Sequence, residues 1–158
     1  MNSHKELKII EKIPLFQGLS LNQVRQLLNS GQMVNYQKGK ILCKEGDKST
    51  DMLILLAGEL VIRRKNKELT SVTPVEIVGE MGLITGLPRS AQVEVTKDAT
   101  LILINKMKFD VLLKRDATVA AKIYRNMLIT LCGRLQEAND RLDQSSKDED
   151  KKIVRSMI

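Results

Sequence analysis

The sequence has few of the residues on which most catalytic and metal sites depend. Its 158 residues include one histidine, two cysteines and no tryptophan. His4 lies close to the chain start, where side chains are rarely held in place, so a catalytic triad built on it is disfavoured. Cys43 and Cys132 are far apart and neither has another cysteine nearby, which argues against a CxxC redox centre or a zinc site. We expect no enzymatic activity, no metal and no cofactor.

Long apolar runs are also missing. No run approaches the roughly 20 residues that a membrane-spanning helix needs, and the charged N-terminus is unlike a signal peptide. We therefore predict no membrane segment and a cytoplasmic location. Hydrophobic residues at 42% and charged residues at 28% are typical of a globular protein, and the length suits one domain.

Positive charge is in excess, with a formal net charge of +7. The densest basic run covers residues 63–67, and it contains no aromatic residue that would stack on a base. The sequence carries no helix-turn-helix pattern either. We predict that this run is a solvated loop, and that the chain has no DNA-binding domain.

Hydrophobic periodicity divides the chain into helical, β and again helical parts. Two capping-box spacings, Ser3 with Glu6 and Ser20 with Gln23, predict helices within residues 1–31. Short β-type runs separated by turn residues then fill residues 32–104. They are 33–36, 40–44, 52–56, 59–64, 69–73, 92–96 and 100–104. Asn105 is a predicted N-cap, and residues 105–143 predict a short hinge helix and a long helix.

These elements predict an α+β fold. Its centre is an antiparallel β-roll, a jelly-roll-like barrel of about eight strands, flanked by N-terminal helices and two C-terminal helices. Residues 144–158 are predicted to be a polar, disordered tail. Apolar residues of the long helix follow the 4-3 spacing of a coiled coil, which predicts a homodimer through helix 117–143. The members of this seam are Tyr124, Leu128, Leu131, Leu135, Ala138 and Leu142.

Residues 78–91 fit no central strand, because they contain three glycines and a proline. A helical turn from Glu80 to Ile84, closed by Gly86, would present backbone N–H groups to an anion, and Arg89 would add a permanent charge. Glu80 would suit a ligand that also offers hydroxyl groups, as a ribose does. The alternative is a surface loop with an Arg89–Glu80 ion pair worth under about 1 kcal/mol. The residue types alone leave both interpretations open.

This segment resembles the phosphate-binding cassette of the cyclic nucleotide-binding domain family, found in catabolite activator-like proteins and kinase regulatory subunits. The family pattern is roughly Gly-Glu-apolar-small-Leu, a spacer, and then Pro-Arg-small-Ala. Here it is filled by Gly79-Glu80-Met81-Gly82-Leu83 and Pro88-Arg89-Ser90-Ala91. The resemblance extends over about residues 5–143, and it implies that residues 1–143 form one cyclic nucleotide-binding domain with its cassette at 78–91.

The resemblance implies a role for each cassette residue. Arg89 would pair with the cyclic phosphate, and Glu80 would accept a hydrogen bond from the ribose 2′-hydroxyl. Backbone N–H groups near Gly82 and Ser90 would complete the phosphate site, with the Ser90 hydroxyl as a further contact. Gly79 would allow close approach. The remaining apolar members, Met81, Leu83 and Ala91, would be mainly structural.

On the long helix, the resemblance implies that the base is contacted near residues 138 and 139. Activator-like relatives have two hydroxyl residues there, whereas this chain has Ala138 and Asn139. Arg134 would pair with Glu80 or reach the base. Gln92 is not the threonine that some guanine-selective relatives use nearby, which favours adenine slightly. The ligand is therefore expected to be cAMP or cGMP.

The expected function is that of a stand-alone cyclic mononucleotide sensor. Binding would close the C-terminal helix over the base and signal to a dimer mate or to an unknown effector protein. One alternative is an interaction or scaffold module of the same fold that binds a cyclic dinucleotide or no nucleotide. Another is a nucleic-acid binder that uses the basic surface.

Overall fold

The computed structural model describes the backbone of residues 13–156 and the side chains of residues 13–143. His4 and the predicted Ser3–Glu6 capping box lie outside the described residues. The strands are β1 (Gln32–Tyr36), β2 (Ile41–Cys43), β3 (Asp51–Arg64), β4 (Lys67–Val72), β5 (Glu76–Val78) and β6 (Gln92–Asn105). The helices are a 3₁₀ turn (Pro14–Phe16), α1 (Leu21–Asn29), α2 (Glu80–Thr85), α3 (Lys106–Arg115) and α4 (Ala117–Ser156). Within residues 13–156, no helix has the length and apolar character needed to cross a membrane.

All strand pairs are antiparallel. The sheet runs in the order β1-β6-β3-β4, with β2 also paired to β6 and β5 also paired to β3. The predicted antiparallel roll is confirmed, but it is an open sheet of six strands rather than a barrel of about eight. Two pairs of predicted strands are continuous, 52–56 with 59–64 in β3 and 92–96 with 100–104 in β6, whereas β5 was not predicted as a strand.

Gly58 explains why β3 was predicted as two strands. The glycine has a φ of +91°, yet it lies within β3 where the register with β6 shifts, not in a turn. A Cβ at this position would lie 2.6 Å from the Cα of Ala99 in β6. Glycine is therefore required because the two strands approach closely at a bulge, where the long strand pair can bend.

Side chains alternate between the two faces of the sheet and build two cores. In β3, Met52 and Ile54 belong to the core shared with the helices, whereas Leu53 and Leu55 belong to the core inside the roll. The helix-side core also contains Leu83 of α2. The site-bearing helix is thereby packed against the same core as the C-terminal helices.

Side-chain caps set the starts of three helices, and two of them, at Ser20 and at Asn105, were predicted. Ser20 and Gln23 form the capping box of α1. Asn105 Oδ1 accepts a hydrogen bond from the Met107 N–H at 3.0 Å, and Asp116 Oδ1 accepts from the N–H groups of Thr118 and Val119, each at 3.0 Å. A cap satisfies N–H groups that the first turn leaves without helical partners.

The end of the long helix differs from the prediction. Helix α4 continues to Ser156, so the segment from residue 144 that was predicted to be a disordered tail is helical through residue 156. Between residues 134 and 156 the sequence contains no glycine or proline. Glycine and proline are the residues that most strongly interrupt a helix. Without them, α4 continues beyond Leu142, where the apolar seam ends.

Candidate functional site

A cavity with a volume of about 520 Å³ lies among the described residues. It lies between the roll, the segment around α2 and residues 134–141 of α4. All seven predicted cassette residues line it: Gly79, Glu80, Met81, Gly82, Arg89, Ser90 and Ala91. Arg134 lines it as well, whereas Asn139 does not. The volume falls within the roughly 300–1,000 Å³ of small-molecule sites.

The N-terminal turn of α2 depends on glycine at two positions. Gly79 is the N-cap of α2 and has a φ of +88°, and a Cβ there would collide with Nη1 of Arg89. A Cβ at Gly82 would collide with the hydroxyl of Ser49 and lie 2.5 Å from Ser49 Cβ. Gly86 ends the helix, as predicted. The backbone of this turn therefore lies directly against the side chains that line the cavity.

Arg89 is held at both its backbone and its side chain. Its N–H donates to the carbonyl oxygen of Asp47 at 2.8 Å, and its carbonyl accepts from the N–H of Gly46 at 2.8 Å. Its Nη2 donates to the backbone carbonyl of Asp51 at 2.6 Å. Nε and Nη1 are buried and have no hydrogen-bond partner in the described part of the chain. Unpaired buried donors of a permanent cation fit an anionic ligand, because such donors are costly unless they are paired.

Glu80 is a buried carboxylate, only 8% exposed. Its Oε1 accepts a hydrogen bond from Nη1 of Arg134, whose side chain is 53% exposed. A simple surface loop was expected to pair Glu80 with Arg89. The structure pairs Glu80 with Arg134 instead. The pairing with Arg134 brings the long helix to the edge of the cavity, as the prediction for Arg134 had allowed.

Contacts from α3 reach the other end of α2. Nζ of Lys106 donates to the carbonyl oxygen of Leu83 and pairs with Asp110 Oδ2 at 3.1 Å. The side chain of Leu83 is fully buried in the same core as Phe109 of α3. Helix α2 is therefore linked to α3 by a hydrogen bond and by a shared apolar core.

The predicted structural residues have different environments. Leu83 and Ala91 are buried, as a packing role requires, whereas Met81 is 45% exposed at the cavity. Asn139 is exposed on α4 and lies outside the cavity lining. Its neighbours Glu137 and Ala138 line the cavity instead.

Sequence reasoning did not assign several cavity residues to the site, among them Ser49 and Cys43. Ser49 precedes β3, and its buried hydroxyl has no partner among the described side chains and backbone. Cys43 lies in β2 with Sγ 3.8 Å from the Ala91 carbonyl oxygen, and burial raises the pKa of its thiol above the ordinary value. Neither belongs to the contiguous motif, so no local signal marked them. In the described part of the chain, no group of three His, Cys, Asp or Glu residues could hold a metal.

Comparison with known proteins defines the class. The family model "Cyclic nucleotide-binding domain" matches residues 33–116, more than half of the chain. The chain belongs to the cyclic nucleotide-binding domain family.

Individual relatives come from kinases and bacterial regulators. The chain is 35% identical to a cGMP-dependent protein kinase of Toxoplasma gondii over 85 residues, which cover 54% of this chain and 9% of the kinase. It is 29% identical to the cyclic AMP receptor protein of Thermus thermophilus over 141 residues, or 86% of this chain and 63% of the receptor. The chain thus spans less than two thirds of the length of either relative.

Solved structures agree on the fold. The crystal structure of the Thermus thermophilus catabolite activator protein superposes with a TM-score of 0.74 at 28% identity, covering 84% of this chain and 63% of that one. A regulatory domain of Toxoplasma gondii PKA, solved with cAMP, superposes with a TM-score of 0.65 at 21% identity, covering 71% of this chain and 46% of that one. At that identity the second likeness concerns the fold alone.

Proposed function

We propose that this chain is a sensor of a cyclic mononucleotide, cAMP or cGMP. The observation that carries the proposal is the guanidinium of Arg89, which has two buried donors without partners at a cavity of about 520 Å³. A phosphodiester would supply the missing acceptors and the opposite charge. Membership of the cyclic nucleotide-binding domain family makes a cyclic phosphate the first candidate.

The phosphate end of the ligand would lie at the turn before α2. Arg89 would donate to the phosphate oxygens, while Asp51 continues to hold its Nη2. The backbone N–H of Gly82, in the first turn of α2, and that of Ser90 would add further donors, and the Ser90 hydroxyl is at the cavity as well. All of these groups donate, which suits a ligand part that only accepts.

The ribose end would lie at Glu80. A carboxylate accepts hydrogen bonds, so Glu80 would accept one from the 2′-hydroxyl. Arg134 already occupies Oε1 of this carboxylate, and Oε2 is the second acceptor that the same group offers. The ribose would thus bind a carboxylate that already forms an ion pair with Arg134 of the long helix.

The base would lie toward α4, under Glu137 and Ala138. Closure of this helix over the base is the proposed response to binding, with α3 as the hinge. The side chain of Ala138 forms no hydrogen bond, and Asn139 is exposed outside the cavity. The residues at the two positions that correspond to the family's base contacts therefore favour neither purine here.

The signal would pass from α2 to the C-terminal helices through Leu83 and Lys106. The receiver is proposed to be a second copy of the chain or an effector protein. A second copy is supported by the coiled-coil seam of α4, where Leu128 and Leu135 are each 63% exposed and Tyr124 is also exposed. Burying such a seam against its equivalent would remove this apolar surface from water.

A titration tests the proposal directly. Isothermal calorimetry of the full chain with cAMP and with cGMP should show saturable binding of at least one of them, and 5′-AMP should bind much more weakly because its phosphate is not cyclised. Binding of a cyclic dinucleotide only, or of no nucleotide, would reject the proposal in favour of an interaction module of the same fold.

A further inference from the structure

Ser49 has a buried hydroxyl that serves no visible structural purpose. The residue is 6% exposed, lies in the loop between β2 and β3, and lines the cavity. Its Oγ has no hydrogen-bond partner in the part of the chain that the structure describes. Buried polar atoms almost always have a partner, and an unsatisfied one lowers stability. A hydroxyl in this position therefore suggests a partner that is not part of the chain.

The loop around Ser49 is fastened by Arg89 on both sides. The backbone N–H of Arg89 donates to the carbonyl of Asp47, two residues before Ser49, and its Nη2 donates to the carbonyl of Asp51, two residues after. Ser49 is thus in the middle of the segment that positions the guanidinium. The same guanidinium has the two unpaired donors.

Gly82 places the hydroxyl beside the first turn of α2. A Cβ on residue 82 would collide with Ser49 Oγ, so the absence of a side chain at Gly82 makes room for the hydroxyl. Gly82 is also the residue whose N–H is proposed to contact the phosphate. The hydroxyl therefore lies beside one residue assigned to the phosphate, Gly82, in a segment that is hydrogen-bonded to the other, Arg89.

We propose that Ser49 is a ligand-binding residue whose hydroxyl donates a hydrogen bond to a charged phosphate oxygen of the bound cyclic nucleotide. This inference rests on the proposed function. The ionised phosphate carries no proton and can only accept, so the serine is the donor. A hydrogen bond to an anion is stronger than one between neutral groups, which would offset the cost of burying the hydroxyl.

The test compares Ser49→Ala with Ser30→Ala, a serine outside the cavity whose hydroxyl donates to the Leu27 carbonyl. By calorimetry, Ser49→Ala should raise the Kd of the nucleotide that the wild-type chain binds by about tenfold or more, while Ser30→Ala leaves it unchanged. Without ligand, the unfolding midpoint of Ser49→Ala should be equal to or above that of the wild type, because the variant removes an unsatisfied group. An unchanged Kd for Ser49→Ala would overturn the inference.

Ligand analogues separate a phosphate contact from an indirect effect. In the two phosphorothioate diastereomers, sulfur replaces one or the other exocyclic oxygen and accepts a weaker hydrogen bond. The effect of Ser49→Ala should largely vanish for one diastereomer and persist for the 2′-deoxy nucleotide. An equal loss for every analogue would overturn the inference in favour of a purely structural role. If the wild-type chain binds neither cAMP nor cGMP, the proposed function itself fails, and this inference with it.

Discussion

Glu80, a buried carboxylate beside the turn that precedes α2, pairs with Arg134, a half-exposed arginine of the long helix. The pair joins the candidate ligand site to the element proposed to close over it. Because burying a carboxylate without a partner is costly, the ion pair with Arg134 offsets part of that cost. Because Arg134 is half exposed, solvent screens the pair and moderates its contribution.

Removing Arg134 should lower the stability of the unliganded chain. We expect Arg134→Ala to reduce the free energy of unfolding by about 1 kcal/mol, equivalent to roughly 2–4 °C in the thermal midpoint. The control is Arg125→Ala, which removes an exposed arginine from the same helix. Circular dichroism melts measure both variants. Equal midpoints for the two would mean that the Glu80–Arg134 pair does not hold the long helix to the site.

Leu83 should matter far more to stability than its neighbour Met81. Both belong to α2, but Leu83 is fully buried in the core with Phe109, whereas Met81 is 45% exposed. Leu83→Ala should cost about 2–5 kcal/mol through lost burial and the cavity that remains. Met81→Ala should stay within about 0.5 kcal/mol of the wild type. Urea unfolding checks this, and similar losses for both variants would show that α2 is not anchored through Leu83.

Asp116 should make the stability depend on pH under acidic conditions. Hydrogen bonds from the Val119 N–H, from the Gln23 side chain and from the Thr118 N–H, together with the nearby charge of Lys122, hold the pKa of this carboxyl below its usual range, although desolvation opposes them. A carboxyl whose pKa is lower in the folded state stabilises the fold above its unfolded pKa of about 3.9. That contribution is lost as the pH falls through the lower, folded value.

The matched variant is Asp116→Asn, because asparagine also caps helices but does not titrate in this range. We expect the wild type to have a higher free energy of unfolding than the variant at pH 5.5. At pH 3 this difference should be smaller. Urea unfolding at several pH values measures the difference. Parallel curves across this range would refute the role assigned to the carboxylate.

The seam of α4 should control self-association. Leu135→Glu places a charge at the centre of the predicted coiled coil and should convert a dimer into a monomer. Ile129→Glu is the control, since Ile129 is 58% exposed on the same helix but lies off the 4-3 seam. Light scattering coupled to size exclusion reports the mass. A wild-type chain that stays monomeric at all concentrations would reject the dimer.

The sequence predicted the parts of this molecule that depend on neighbouring residues. The α2 turn, its glycines and Arg89 lie within one contiguous stretch, and the caps Ser20 and Asn105 act within three residues of themselves. The division of β3 into two predicted strands was wrong because Gly58 marks a bulge rather than a turn. The local pattern of a bulge and that of a turn are alike, and only pairing with β6 distinguishes them.

Contacts between distant segments were harder to predict. Ser49 reaches Gly82 only because the loop before β3 folds against α2, and no spacing in the chain encodes that approach. The prediction for Asn139 rested on its place in the resemblance, yet the turn of the helix directs Glu137 and Ala138 to the cavity instead. A helical residue's direction depends on how the whole helix packs, which a single motif does not specify.

Thermal unfolding with and without nucleotide tests the central claim most directly, using the wild type, Arg89→Ala and the exposed Arg25→Ala as control. At 100 times the Kd, a ligand should stabilise the wild type and Arg25→Ala by about 2.7 kcal/mol, a rise of roughly 5–11 °C in the midpoint. The account predicts no rise for Arg89→Ala above that variant's own midpoint without ligand, which is the reference because the variant also loses the hydrogen bond to the Asp51 carbonyl. A midpoint that neither cAMP nor cGMP raises in the wild type, or an equal rise in Arg89→Ala, would contradict it.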